Sequence, residues 1–140
     1  MTDHITVRGL VATDPKFETS ASGVEHCSFR LASTKRRFDK ATGGWVEGEV
    51  NWFTVIAFRN LARNIAESIE KGQRILVTGK LQVRDWDNGE KHGTAVEVLA
   101  TALGSDLVFG TTSFERRSPM VLDPEDEDSD AEMEQELQPA

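Results

Sequence analysis

Val50-Asn51-Trp52-Phe53-Thr54-Val55-Ile56-Ala57-Phe58 is dense in β-branched and aromatic residues and has no internal Gly or Pro, the composition of a central β-strand. Side chains alternate between faces along a strand, so Phe53, Val55 and Ala57 form one row and Trp52, Thr54, Ile56 and Phe58 the other. The first row is predicted to be core. The stretch from Gln73 to Trp86 repeats the arrangement with more contrast: Ile75, Val77, Leu81 and Val83 share one parity, and Arg74, Lys80, Arg84 and Trp86 share the other. If the two strands lie in one sheet with these parities together, the outer face offers flat rings among positive charges. A nucleic acid single strand needs both, because bases stack on rings at roughly 1 to 3 kcal/mol each and phosphates need cations along the track. A Trp at a strand end also serves ordinary packing. Recurrence of the pattern in two strands is what favours the ligand reading.

The 140 residues suit one domain with a modest core, or one domain plus a tail. The single cysteine, Cys27, has no partner for an internal disulfide, which fits a reducing compartment and a cytoplasmic protein. No apolar run approaches a membrane span, and the first residues lack a basic segment followed by an apolar one, so neither membrane insertion nor secretion is expected. The net charge of −8 would disfavour a polyanionic partner if it were evenly spread. It is not: residues 1–113 hold 14 Lys plus Arg against 14 Asp plus Glu, whereas residues 114–140 hold 2 against 10. The division predicted is a binding domain over 1–113 and an acidic tail over 114–140, too charged and too poor in apolar residues to offset its ordering entropy and therefore expected to be disordered.

Within the domain, Ile5, Val7, Gly9 and Val11 alternate with Thr6, Arg8 and Leu10 up to a break at Asp14-Pro15, after which Lys16 to Thr19 reads as a short edge piece. A turn at Ser20 to Gly23 leads into a strand from Val24 to Thr34 that puts Cys27, Phe29 and Leu31 inside and Arg30 outside. Lys35, Arg36, Arg37, Phe38 and Lys40 then form a basic hairpin arm with Phe38 at its root, a glycine turn at Gly43-Gly44 and Trp45 on the return. Such an arm is either a solvated loop or a cover for a strand lying on the sheet. Leu61, Ala62, Ile65, Ala66 and Ile69 recur at helical spacing, with Asn60 expected as the N-terminal cap and Gly72 as the left-handed terminator. Asp87-Asn88-Gly89 marks a hairpin into a strand from about Thr94 to Thr101, and Gly79 sits where a curling sheet needs a residue without a side chain. Asp106 to Thr112 reads as one more short strand.

Five strands with one helix between the third and fourth are the order of an OB barrel, an all-β fold. The chain further resembles the bacterial single-stranded DNA-binding proteins of actinobacterial type, over roughly Ile5 to Val108. The resemblance is carried by Val7-Arg8-Gly9, Asp14-Pro15, Phe29-Arg30-Leu31-Ala32, Asp39-Lys40-Ala41-Thr42-Gly43, Asn51-Trp52-Phe53 with Phe58, Leu61-Ala62, Lys71-Gly72, Val77-Thr78-Gly79-Lys80-Leu81 and Arg84-Asp85-Trp86. It implies a homotetramer that binds single-stranded DNA with little sequence preference in replication, recombination and repair. The stacking rings it implies are Trp52, Phe58 and Trp86, the rings that parity already groups with the charges, with Phe38 added as an aromatic near the arm. Arg8, Arg30, Lys35, Arg36, Arg37, Lys40, Arg74, Lys80 and Arg84 are the expected phosphate contacts. RNA remains a possible ligand, since stacking does not read the sugar. The resemblance implies that the strand at Asp106 to Thr112 hooks neighbouring subunits together. It also implies an acidic tail closing with Pro-Phe that docks on partner enzymes, whereas this sequence runs Gln135-Glu136-Leu137-Gln138-Pro139-Ala140; partner docking by that route is left in doubt, and the chain looks like a secondary paralogue.

Catalysis and cofactors are not expected. His4, His26 and His92 have no metal-ligand spacing, and His26 and Cys27 point to opposite faces of one strand. Two other classes compete: an OB nuclease, which would need fixed carboxylates such as Asp85 and Asp87 beside the basic face, and a module using the same face for protein.

Overall fold

A computed structural model describes residues 2–117, which run β1 (His4–Val11), β2 (Lys16–Thr19), β3 (Glu25–Asp39), β4 (Gly44–Phe58), α1 (Arg59–Ser68), β5 (Arg74–Asp87) and β6 (His92–Ser105). The strands form one sheet in the order β1-β5-β6-β4-β3-β2, and a second pairing of β1, with Leu10 opposite Ala32 and Val11 opposite Leu31 on β3, closes it into a barrel. Only β4 and β6 pair in parallel. β2 is the predicted edge piece, paired to β3 alone. Leaving it aside, five long strands with α1 between the third and fourth reproduce the OB order.

The alternating rows decide what fills the barrel. Val7, Val11, Cys27, Phe29, Leu31, Val55, Ala57, Ile75, Val77 and Val98 are buried, and Ala62 and Ile65 of α1, with Ile69 just past its end, join the same cluster. A side chain as fully buried as Leu31 contributes about 1.5 to 3 kcal/mol by leaving water. Burial also pushes the Cys27 thiol above its ordinary pKa, which keeps it unreactive. Arg63 ties α1 to the start of β3 by pairing with Glu25, and these hydrogen bonds hold the Glu25 carboxyl below the usual range.

Gly79 fits its predicted place. The β5–β6 register slips between Thr78 and Gly79, and a Cβ on Gly79 would stand 2.2 Å from the Leu99 carbonyl oxygen, so the strands can approach here only without a side chain. Several expectations are corrected. Asn60 does not cap α1: the chain leaves β4 straight into the helix, Phe58 occupies the cap position without a side-chain bond, and Asn60 Nδ2 has no hydrogen-bond partner among the described residues. The helix ends at Ser68 with Ile69 extended, so Gly72, although at φ 95°, belongs to the following turn, where its N–H donates to the Val11 carbonyl. Val83 is 59% exposed rather than core, because the far halves of β5 and β6 project beyond the barrel as a two-stranded ribbon. β3 and β4 stay paired to Asp39 and Gly44, so Phe38 sits near the tip of the arm, not at its root. Asp106 to Thr112 is not a strand but a turn followed by irregular chain, with the Phe109 N–H donating to the Asp106 carbonyl. The expectation of disorder beyond Arg117 falls outside the described residues.

Candidate nucleic-acid interface

The strand registers say how the outward residues line up. Arg30 on β3 lies opposite Thr54 on β4, and Ala32 opposite Trp52. On β6, Glu97 stands beside Thr54 and Leu99 beside Ile56. On β5, Lys80 faces Leu99, Gln82 faces Glu97, Arg84 faces Ala95 and Trp86 faces Gly93. The β4–β6 pairing runs from Thr54 to Ile56; Trp52 lies two residues beyond it on β4, and Ala95, Arg84 and Trp86 lie on the β5–β6 ribbon that continues past it. Thr54, Glu97 and Gln82 stand in one row, so Trp52, two residues from Thr54, and Trp86, four from Gln82, have the parity of the same face.

Both indoles are available to a ligand, Trp52 being 48% and Trp86 44% exposed. Trp86 lies down on Gly93, where an added Cβ would meet its ring at 2.9 Å. The Arg30 guanidinium is 5.3 Å from the Trp52 ring centre, a cation–π contact worth about 0.5 to 1 kcal/mol at an exposed site, and its Nη1 donates to Thr54 Oγ1 at 3.0 Å. The ring and charge are thus set together before any ligand arrives. Phe58 is exposed at the far end of β4, roughly 20 Å along the strand from Trp52, with its ring 6.4 Å from that of His26. Trp52, Phe58, Trp86, Arg30, Lys80 and Arg84 therefore have the outward parity on β3, β4 and β5, with β6 lying between the last two.

The arm is a separate feature. Phe38 and Trp45 meet edge to face, 5.7 Å between centres, close to its tip. Lys35, Arg36, Arg37 and Lys40 are all exposed, but strand alternation puts Arg36 with Phe38 on one side and Arg37 on the other, so the arm is cationic on both faces. Arg8 and Arg74 are not brought to the indoles. They lie around the barrel, opposite Leu76 and Leu10 respectively. Arg8 donates to Asp106 Oδ2 from Nε at 3.0 Å and Nη2 at 2.7 Å, and the Arg74 guanidinium lies 4.5 Å over the Phe109 ring. A cleft of about 430 Å³ opens there, lined by Arg8, Leu10, Arg36, Arg74, Asp106 and Phe109. The Arg8 hydrogen bonds, helped by the Val108 N–H and the positive charge of Arg8 and Arg74, outweigh burial and hold the Asp106 carboxyl below the usual carboxylate range.

Two residues that sequence reasoning left out of the site are acidic. Asp106 was placed in a strand, with nothing to show that it would close on Arg8 from 98 positions away. Glu97 carried a readable signal, a charged residue on the outward parity of β6, but its depth did not: it is only 7% exposed, with Arg84 Nη2 3.4 Å from Oε2. The carboxylates a nuclease would need are occupied by the β5–β6 hairpin, since Asp85 accepts from the Thr94 hydroxyl and Asp87 from the Gly89 N–H. Among the described residues no His, Cys, Asp and Glu cluster could hold a metal ion, and no helix is long and apolar enough to cross a membrane.

Comparison with known proteins bears on the family and the fold. The profile of the single-strand binding protein family matches residues 2–105. The "Single-stranded DNA-binding protein 2" of Tropheryma whipplei (strain Twist) is 48% identical over 115 residues, covering 82% of this chain and 76% of that protein. The crystal structure of the small single-stranded DNA-binding protein from Streptomyces coelicolor superposes with a TM-score of 0.72 at 38% identity, over 78% of this chain and 98% of that one. The second such protein of Mycobacterium smegmatis gives a TM-score of 0.63 at 30% identity, over 83% and 100%. With an OB barrel, a ring-and-charge outer face and a profile match over most of its length, the chain belongs to the single-strand binding protein family, whose members bind rather than catalyse.

Proposed function

We propose that the chain binds single-stranded DNA without strong sequence preference, bases stacking on Trp52, Phe58 and Trp86 and phosphates meeting Arg30, Lys35, Arg36, Arg37, Lys40, Lys80 and Arg84. The observation that carries this is the joint exposure of Trp52 and Trp86 on one face with Arg30 and Arg84 between and beside them. Phe38 contributes from the arm, whose cations on both sides suit a strand passing over either. Arg8 and Arg74, engaged by Asp106 and Phe109, serve the fold first. The binding unit is residues 1–113, with the acidic segment 114–140 outside it. The protein works as a homo-oligomer, a tetramer by family resemblance, on DNA exposed in replication, recombination or repair, in the cytoplasm and with the nucleoid. RNA would bind more weakly.

The test is a titration with labelled oligo(dT) at several salt concentrations. Affinity should fall as salt rises and indole fluorescence should be quenched. Salt-independent association with a protein partner, and none with DNA, would favour the protein-interaction alternative.

A further inference from the structure

Each exposed indole has an arginine set beside it by the strands. The Arg30 guanidinium lies 5.3 Å from the Trp52 ring, and Arg84 precedes Trp86 on the same side of β5. The registers give Phe58 no such neighbour. It stands opposite His26, and the next outward row holds Ile56 with Ser28 and Leu99, none of them a lysine or an arginine. The chain itself supplies a cation at the following position, Arg59, where β4 ends and α1 begins. Strict alternation would turn residue 59 inward with Val55 and Ala57, yet Arg59 is exposed. Its backbone accounts for the departure: φ is 59°, in the left-handed region, so the strand's alternation stops there.

That conformation is unfavourable for a residue with a Cβ, which is pressed toward the following carbonyl oxygen, whereas glycine adopts it freely. The other positive φ values among the described residues, at Gly23, Gly43, Gly72 and Gly89, all fall on glycines. Arginine at 59 is the exception, and a strained residue that persists beside an exposed ring points to a use for its side chain. Consecutive Cα atoms are about 3.8 Å apart, so the long Arg59 side chain starts beside Phe58 and can reach the phosphate of a nucleotide stacked there. A guanidinium suits that contact because its planar fork holds two phosphate oxygens at once. Resting on the binding reading above, we propose that Arg59 is the phosphate contact of the nucleotide stacked on Phe58, so that the binding track runs off the end of the sheet onto the junction of β4 with α1.

The experiment titrates the full chain with oligo(dT) across a salt series, for the native protein and for Arg59→Gln, Arg59→Lys and Arg59→Gly. If Arg59 neutralises one phosphate, the plot of log affinity against log salt should flatten by about 0.7 in the Gln and Gly variants. A fourfold rise in salt then costs the native protein about 2.6-fold more affinity than it costs either variant. Arg59→Lys keeps the charge and should keep the native slope. Thermal melting separates this role from a structural one: glycine relieves the left-handed backbone, so Arg59→Gly should melt no lower than the native protein while still losing slope. Phe58→Ala locates the contact. One nucleotide serves both residues, so Phe58→Ala combined with Arg59→Gln should weaken binding less than the product of the two single losses. A native slope in Arg59→Gln would overturn the proposal, and would do so whatever glycine does to the melting temperature. A double variant whose losses simply multiply would also overturn it, by placing the phosphate contact away from Phe58. If the native protein does not bind oligo(dT) at all, the binding reading falls and takes this proposal with it.

Discussion

The outer face around Trp52 and the flank around Arg8 use the same three kinds of side chain, a ring, a guanidinium and a carboxylate, to opposite ends. On the flank the groups close on each other: Asp106 takes two short bonds from Arg8, and Arg74 lies on Phe109. On the face Arg30 likewise lies on Trp52, and the rings of both regions are about half exposed, but the carboxylate contact is loose, Arg84 standing 3.4 Å from Glu97. Proximity of ring and cation is therefore not enough to mark a ligand surface. What separates the two regions is whether the chain has already spent its own donors and acceptors.

Five variants put that contrast at risk, and the largest effect belongs to the rings. Replacing Trp52 and Trp86 together by Ala should weaken oligo(dT) binding by about 2 to 6 kcal/mol if the two act independently. The fold should survive, as circular dichroism would check, because neither ring is core. Gly79→Ala comes next: Gly79 marks the slip in register where β5 passes from the Arg74 end to the Trp86 end, and a side chain there meets the Leu99 backbone. Denaturant unfolding should show a loss of at least about 1 to 3 kcal/mol, with both regions disturbed. Smaller again is the difference between two arginines. Arg84→Ala should flatten the plot of log affinity against log salt by about 0.7 if it neutralises one phosphate, whereas Arg8→Ala should leave that slope alone and lower the melting temperature.

The smallest effect depends on pH. Because Arg8 depresses the Asp106 pKa in the folded chain, the contribution of this pair is complete above the unfolded carboxylate pKa and is lost as pH falls through the folded value. Asp106→Asn should thus melt a few degrees below the native protein at neutral pH, and the gap should close in acid. A gap independent of pH would remove the charge from the account of the flank.

The sequence was most legible where burial forces alternation. Phe29, Leu31, Val55, Ala57, Ile75 and Val77 are buried as parity requires, and the same parity turns Trp52, Phe58, Arg30, Lys80 and Arg84 outward. It failed where a contact is made across the chain or where pairing outruns the barrel. Val83 has the inward parity, but no barrel remains beneath it. Arg8 and Arg74 have the outward parity, but a closed sheet has its outside all round, and alternation cannot say on which side of it a residue stands. Asp106 to Thr112 has strand-like composition, yet the Asp106 side chain accepts the Val108 N–H and folds the backbone into a turn instead.

The most direct test of the central claim is photocrosslinking of an oligo(dT) carrying 5-iodouracil, followed by mapping of the joined peptides. The account predicts adducts at Trp52 and Trp86, with Phe58 next. Adducts concentrated at Phe109 or Phe17, with neither indole labelled, would contradict it.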